Sequence, residues 1–154
     1  HRMEIWVDAD ACPGVIREII AKAAHKREIN TTFVANHGFS LRKSPFVRLY
    51  QVPIGFDEAD KEIEQRVRAG DLVITADIPL ASDVLKKAAL VLTPRGERYT
   101  ENNIKQRLQM RDFMETMRSS GEHTGGPSAL SLTDRKHFSD QLDRLLTRAQ
   151  RTQA

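Results

Sequence analysis

The chain of 154 residues is 40% hydrophobic, 29% charged and 6% aromatic, enough apolar material for one sizeable core and too little length for two independent domains. Its longest apolar runs, such as Leu72–Ile74 and Ala88–Leu92, fall far short of the roughly 20 residues that cross a bilayer, which excludes a membrane-spanning helix. The net charge of +3 arises from 24 basic and 21 acidic side chains, a small difference between large numbers that argues only weakly for a polyanionic partner.

His1 and Arg2 precede Met3, which reads as the initiator, so those two residues carry no weight in the functional reading. The N-terminus reaches Asp8 and Asp10 without the basic-then-apolar signature of a secretory signal. A lone Cys12 permits neither an internal disulfide nor a thiolate metal cage. A cytoplasmic, reducing location is the expectation.

Glu4–Val7 is a short apolar run ending at Asp8, and from Pro13 the residues Val15, Ile16, Ile19, Ile20 and Ala23 follow a helical period. The β-branched stretch Thr31–Ala35 predicts a second strand, and Val47–Val52, after the polar loop Asn36–Pro45, a third. Gly55 and Asp57 open a helix with Ala59, Ile63 and Val67 at spacing four, acids in its first turns, bases in its last and Gly70 as its stop. Leu72–Thr75 is the most apolar strand candidate; Asp77, a helix over Pro79–Lys87 and a strand over Leu90–Thr93 follow. Beyond Pro94, Ile104, Leu108, Met110, Phe113, Met114 and Met117 predict a long amphipathic helix. A Ser-, Gly- and Thr-rich loop spans Ser119–Leu132. A last helix, with Thr133 as its expected cap, carries Phe138, Leu142, Leu145 and Leu146 at core spacing.

Strands alternating with helices imply parallel βαβ units. The expected fold is therefore α/β: a single domain over residues 3–152, a three-layer sandwich around a mostly parallel sheet of about five strands in the order 3-2-1-4-5. Residues 100–150 form a C-terminal extension of two helices that either cover the sheet or make a hairpin toward a partner subunit.

In such a sheet, ligands bind beyond the strand C-termini, where the strand order reverses. Asp8 and Asp10 end the first strand, Asn36 the second, Asp57 and Asp60 begin the helix after the third, and Asp77 follows the fourth. Order 3-2-1-4-5 makes strands one and four neighbours, so these acids converge. Two carboxylates about 4 Å apart repel by on the order of 4 kcal/mol at an effective dielectric near 20, so the cluster calls for a proton or a cation. A hard divalent ion, Mg²⁺ or Mn²⁺, matches all-oxygen donors, with Asp8, Asp10, Asp60 and Asp77 as its expected ligands. The histidines form no helical ligand pair, which disfavours zinc. Helix capping is the competing explanation, strongest for Asp57 and Asp10 and weaker for Asp8 and Asp77. Asp83 reads as a solvated helix residue or an outer support. Cys12, before a helix start, is either a reactive thiol or a small packed residue. Arg95 and Arg98, after the fifth strand, are candidate phosphate holders with Asn36, or else surface charges. Gly125–Pro127 is a turn or a lid, and His123 and Ser128 gain no specific role.

The segments Asp8-Ala9-Asp10-Ala11-Cys12-Pro13, Thr75-Ala76-Asp77-Ile78-Pro79-Leu80-Ala81 and Pro94-Arg95-Gly96-Glu97, followed by Gly126-Pro127, together resemble the bacterial YaiI/YqxD family of uncharacterised proteins over almost the entire chain. More remotely, the pattern is similar to the PIN-like nucleases, including their NYN branch. That resemblance implies a compact α/β domain that gathers acids around Mg²⁺ or Mn²⁺ to cleave phosphodiesters. It matches Asp8 to the acid ending the first strand, Asp60 to the acid on the helix before the fourth, and Asp77 to the acid after it. The acidic pair usual at that last point is absent here, since Ile78 and Pro79 follow Asp77.

The leading expectation is a metal-dependent nuclease acting on RNA in preference to duplex DNA, with Asp8, Asp10 and Asp77 catalytic and no protein nucleophile. Two alternatives stand beside it. A haloacid-dehalogenase-like phosphohydrolase would use Asp8 as nucleophile and Asp10 as acid, although no hydroxyl–lysine pair completes that signature. A noncatalytic nucleic-acid-binding module would draw its affinity from arginines.

Overall fold

The computed structural model describes residues 1–121 and 128–153. The elements run β1 (Ile5–Asp8), α1 (Gly14–Arg27), β2 (Thr31–Ala35), β3 (Val47–Gln51), α2 (Glu58–Arg66), β4 (Leu72–Ile74), α3 (Ile78–Leu85), β5 (Leu90–Leu92), β6 (Arg98–Tyr99), α4 (Glu101–Ser119) and α5 (Leu132–Gln153). One sheet has the order β3-β2-β1-β4-β5-β6. Every pairing is parallel except the antiparallel β5–β6 edge.

Side-chain alternation along the strands divides the core in two, as the period of two requires. Ile5 and Val7, Phe33 and Ala35, Leu72 and Ile74, and Leu92 turn to one face, where α1 supplies Ile16 and Ile20 and α5 supplies Phe138, Leu142, Leu145 and Leu146. Trp6, Val34, Val73 and Val91 turn to the other, against Ile63 of α2, Leu80, Ala81 and Val84 of α3, and Ile104 of α4. The result is the three-layer arrangement expected. The two C-terminal helices lie on opposite faces of the sheet. Burial is lopsided between them, for α5 contributes four core residues while α4 buries only Ile104 and leaves Met110 and Phe113 exposed.

The sheet keeps the expected order 3-2-1-4-5 and adds a sixth strand at its edge. The additional strand, β6, returns through a tight turn in which Thr93 N–H donates to Glu97 O and Gly96 N–H to Thr93 O. A two-residue strand shows no periodicity to read. The helix after β3 also stops earlier than its apolar spacing suggests, because Val67 is extended (φ −65°, ψ 143°), leaving Gly70 at φ +86° in the turn before β4. Ser131 caps α5 in place of Thr133: Ser131 Oγ accepts from Asp134 N–H, and Asp134 Oδ2 accepts from Ser131 N–H, each at 3.0 Å. The expected turn or lid at Gly125–Pro127, His123 and the Gly126-Pro127 pair lie outside the described residues.

A buried acid ties the opposite, N-terminal ends of the strands together. Asp71, fully buried just before β4, accepts from Glu4 N–H at 3.0 Å, Trp6 Nε1–H at 3.1 Å and Arg68 N–H at 2.9 Å. Nothing in the local pattern singles it out, since Glu4 and Trp6 come from another segment of the chain.

Candidate metal centre

At the C-terminal edge of the sheet, β1 and β4 lie side by side, with Val7 opposite Ile74. The strand order reverses between them. Asp8 ends β1, Asp77 stands at the head of α3, Asp57 and Asp60 at the start of α2, and Asp10 and Asn36 in the loops after β1 and β2. All six border one cleft of about 230 Å³, together with Gly55. An adjoining cleft of about 290 Å³ shares Asp57, Asp60 and Asp77 and adds Phe56, Asp83 and Arg111.

Three of the acids are held by specific hydrogen bonds. Asp8, buried, accepts from Thr75 Oγ1–H at 2.9 Å. The same hydroxyl accepts from Asp77 N–H at 3.0 Å, so Thr75 links the two acids. Asp77 Oδ1 accepts from Leu80 N–H at 2.9 Å and thereby caps α3. Asp10 Oδ2 accepts from Asn36 N–H at 2.8 Å, and Asp10 Oδ1 lies 2.8 Å from His37 Nδ1. The capping expectation is therefore inverted. Asp77 is a cap as well as a site residue, while Asp57 occupies the N-cap position of α2 in a left-handed conformation (φ +61°) with no side-chain cap bond. A left-handed Asp is tolerated but strained.

The electrostatics follow from crowding in a recess. Burial raises the pKa of Asp8 above its ordinary value, opposed by the Thr75 hydrogen bond and reinforced by Asp77 and Asp10. Asp60 is pushed up to about 7, first by burial, then by the charges of Asp77 and Asp8, a proton shared with Asp77, and the charge of Asp57. Around neutrality Asp60 thus stands between its protonated and charged forms, and a cation would favour the charged one. The donors are all oxygens, as Mg²⁺ or Mn²⁺ requires. Among the described residues no three His, Cys, Asp or Glu side chains already stand in a ligating arrangement. Mg²⁺ does not need one, because it commonly keeps several waters and takes only one or two carboxylates.

This linkage has a definite sign. A carboxyl whose folded-state pKa is raised stabilises the fold below its unfolded value, and that contribution is lost as pH rises. The metal-free protein is expected to lose stability between about pH 4 and pH 7 through Asp60, with Asp8 acting in the same direction. Asp60→Asn will flatten that part of the profile and raise the urea midpoint at pH 8. An unchanged profile in the variant would refute the assignment.

The remaining sequence candidates lie elsewhere. Arg95 Nη1 pairs with Asp134 Oδ2 at 2.8 Å, and its Nη2 donates to Ser128 O. Arg98 lies opposite Leu92 in the antiparallel edge and so shares that residue's face of the sheet, the α5 face, near Arg148. Neither lines the acid cleft. Cys12 is packed: burial pushes its thiol up to about 12, Arg17 pulls it down less, and Asp8 adds to the rise. His37, whose sequence position gave no ligand spacing, is the residue that the sequence reading passed over, and its partner Asp10 lies across two loops.

The family model described as "Uncharacterized BCR, YaiI/YqxD family" matches residues 6–148. A UPF0178 protein of Colwellia psychrerythraea is 58% identical over 151 residues, covering 98% of this chain and all of that protein. One from Shewanella loihica is 59% identical over 95% of this chain and 97% of its own length. One from Proteus mirabilis is 56% identical over 97% of this chain and 99% of its own. No solved structure matches the chain.

Proposed function

The chain belongs to the YaiI/YqxD family of uncharacterised proteins, and reasoning from its acid-lined cleft we propose that it is a PIN-like, Mg²⁺- or Mn²⁺-dependent nuclease that hydrolyses phosphodiesters in RNA. The observation that carries this reading is the meeting of Asp8, Asp60 and Asp77, drawn from β1, α2 and the β4–α3 junction, in one recess. Six acids border that recess, Asp57 and Glu58 included, which is more than capping requires, and only Asp77 among the four helix-start and strand-end candidates is a cap.

Asp8, Asp60 and Asp77 would hold the cation, one or two of them directly and the rest through its waters. When bound, the metal would supply Lewis acidity toward a phosphate oxygen and acidify an attacking water. Asp10, steadied by Asn36 N–H and His37, would orient that water and accept its proton. Asn36 borders the cleft beside it and contributes polar contact to the substrate. Recession of the site favours a flexible single strand, whose backbone can bend into it, over the stiff duplex. A phosphohydrolase with Asp8 as nucleophile draws less support, because one oxygen of that carboxyl is engaged by the Thr75 hydroxyl and burial raises its pKa.

The test is cleavage of single-stranded RNA with and without Mg²⁺ or Mn²⁺. Metal-dependent cutting is expected from the parent, and a loss of about 100-fold or more from Asp77→Asn, the scale on which losing metal-borne charge stabilisation acts. Asparagine caps helices as well as aspartate does, so this variant will keep the parent's thermal midpoint. Salt-sensitive RNA binding by the parent with no metal-dependent turnover would instead establish the noncatalytic module.

A further inference from the structure

A second cleft, of about 400 Å³, runs between the start of α1 and the β2–β3 loop, lined by Gly14, Arg17, Glu18, Ser40, Leu41 and Arg42. Its charge is set by an uninterrupted bias in the sequence: from Ile29 to Phe56 the chain carries no Asp or Glu. Arg42 and Lys43 stand exposed at the tip of that acid-free stretch. Among the described residues no carboxylate forms an ion pair with Arg17, Arg42 or Lys43. Glu18 is the single acid of the lining.

Arg17 is fixed in place for reasons that leave much of its charge available. Its Nη1 donates to Ala9 O at 3.3 Å and to Cys12 O at 3.1 Å. Its guanidinium lies 4.1 Å from the centroid of the Phe39 ring, and Phe39 meets Phe33 edge-on at 6.3 Å. Nη2 lies over Gly14. A guanidinium held by backbone carbonyls and an aromatic face, with no acid to neutralise it, is pre-organised for an anion from outside the chain.

The two clefts are connected through the β1–α1 segment, which borders both. Ala11 borders the acid-lined one and Gly14 the cationic one, a separation of about 11 Å at most along an extended chain. We infer that the Arg17–Arg42 cleft is the backbone track of the enzyme, taking a phosphodiester of single-stranded RNA that flanks the one presented to Asp8, Asp60 and Asp77. This assignment rests on the nuclease reading and adds to it the element that holds the strand. The negative recess beside it repels a polyanion, so positive charge next to it assists the strand's approach.

The experiment measures binding of a fluorescent single-stranded RNA to the Asp77→Asn protein in Mg²⁺, where the strand stays intact, as a function of salt. Each phosphate neutralised adds about 0.7 to the steepness of log K against log salt for a single strand. Arg42→Ala is expected to lower that slope by about 0.7 and to weaken binding several-fold at low salt. Arg42→Lys should restore the slope, and Arg118→Ala, on the far end of α4, should leave it unchanged. Among the described residues Arg42 has no ion-pair partner and is exposed, so folding will not confound the comparison. If the parent cuts RNA with metal while Arg42→Ala binds with the parent's slope, the track is wrong and the nuclease reading stands. If the parent neither binds nor cuts, the nuclease reading falls and takes the track with it. A mononucleotide bound as tightly as a longer strand would assign the cleft to a small anion and also overturn the inference.

Discussion

Asp71→Ala will cost the fold about 3–5 kcal/mol, the range for removing one partner from a buried charged network. The side chain is fully buried, and its loss strands Trp6 Nε1–H and the backbone N–H groups of Glu4 and Arg68. The Trp6 Nε1–H bond is buried and the two backbone bonds are partly so. With a total stability of about 5–15 kcal/mol for a domain, the loss is a large share of the whole. At about 2–4 °C per kcal/mol for a domain of this size, the thermal midpoint will fall by roughly 6–20 °C. Asp71→Asn, which retains one acceptor oxygen, will lose less. Urea unfolding of the three proteins checks the order, and an Asp71→Ala midpoint equal to the parent's would show that the network carries no weight.

Gly96→Ala will destabilise by about 2–4 kcal/mol, combining the strain of alanine at positive φ with overpacking of a closed contact. Gly96 sits at φ +88° in the β5–β6 turn, and a Cβ there would lie 2.5 Å from His137 Cδ2, 2.8 Å from Phe138 N and 2.9 Å from His137 C. Two of those atoms are α5 backbone and cannot step aside singly. Gly70 provides the control, since it has φ +86° but nothing within 4 Å of a built Cβ. Gly70→Ala will therefore show the conformational cost alone, about 1 kcal/mol. Equal losses in the two variants would mean that the turn does not bear on α5.

The Gly96 contact also explains why the Arg95–Glu97 segment was legible as a motif but not for its role. Read alone, Arg-Gly-Glu at a strand end suggests an anion holder. In the fold, Arg95 reaches Asp134, Gly96 abuts His137 and Phe138, and Glu97 pairs with Arg107. The segment fastens both C-terminal helices to the sheet, through partners too distant in sequence for local pattern to show. The strands and helices, by contrast, announced themselves because alternation and helical spacing are local. The meeting of Asp8 with Asp77 was also readable, because strand order alone decides which loops become neighbours. What spacing could not show was which cleft acid also caps a helix: Asp57 and Asp77 look alike in sequence and both border the cleft, yet only Asp77 accepts from the N–H of its helix. Asp71 and His37 were invisible for the same reason as the Arg95 partners.

The hydrogen bonds around the acids divide the site into a stiff side and a pliant one. Asp8, Asp10 and Asp77 each have an oxygen fastened by a neighbour, so their positions are those of the sheet and of the loops it anchors. Asp57 and Asp60 ride on α2, which buries only Ile63 and is entered through a left-handed residue. Any adjustment to the radius of a bound ion would therefore fall to one short helix, the looser jaw of a vice whose other jaw is bolted down.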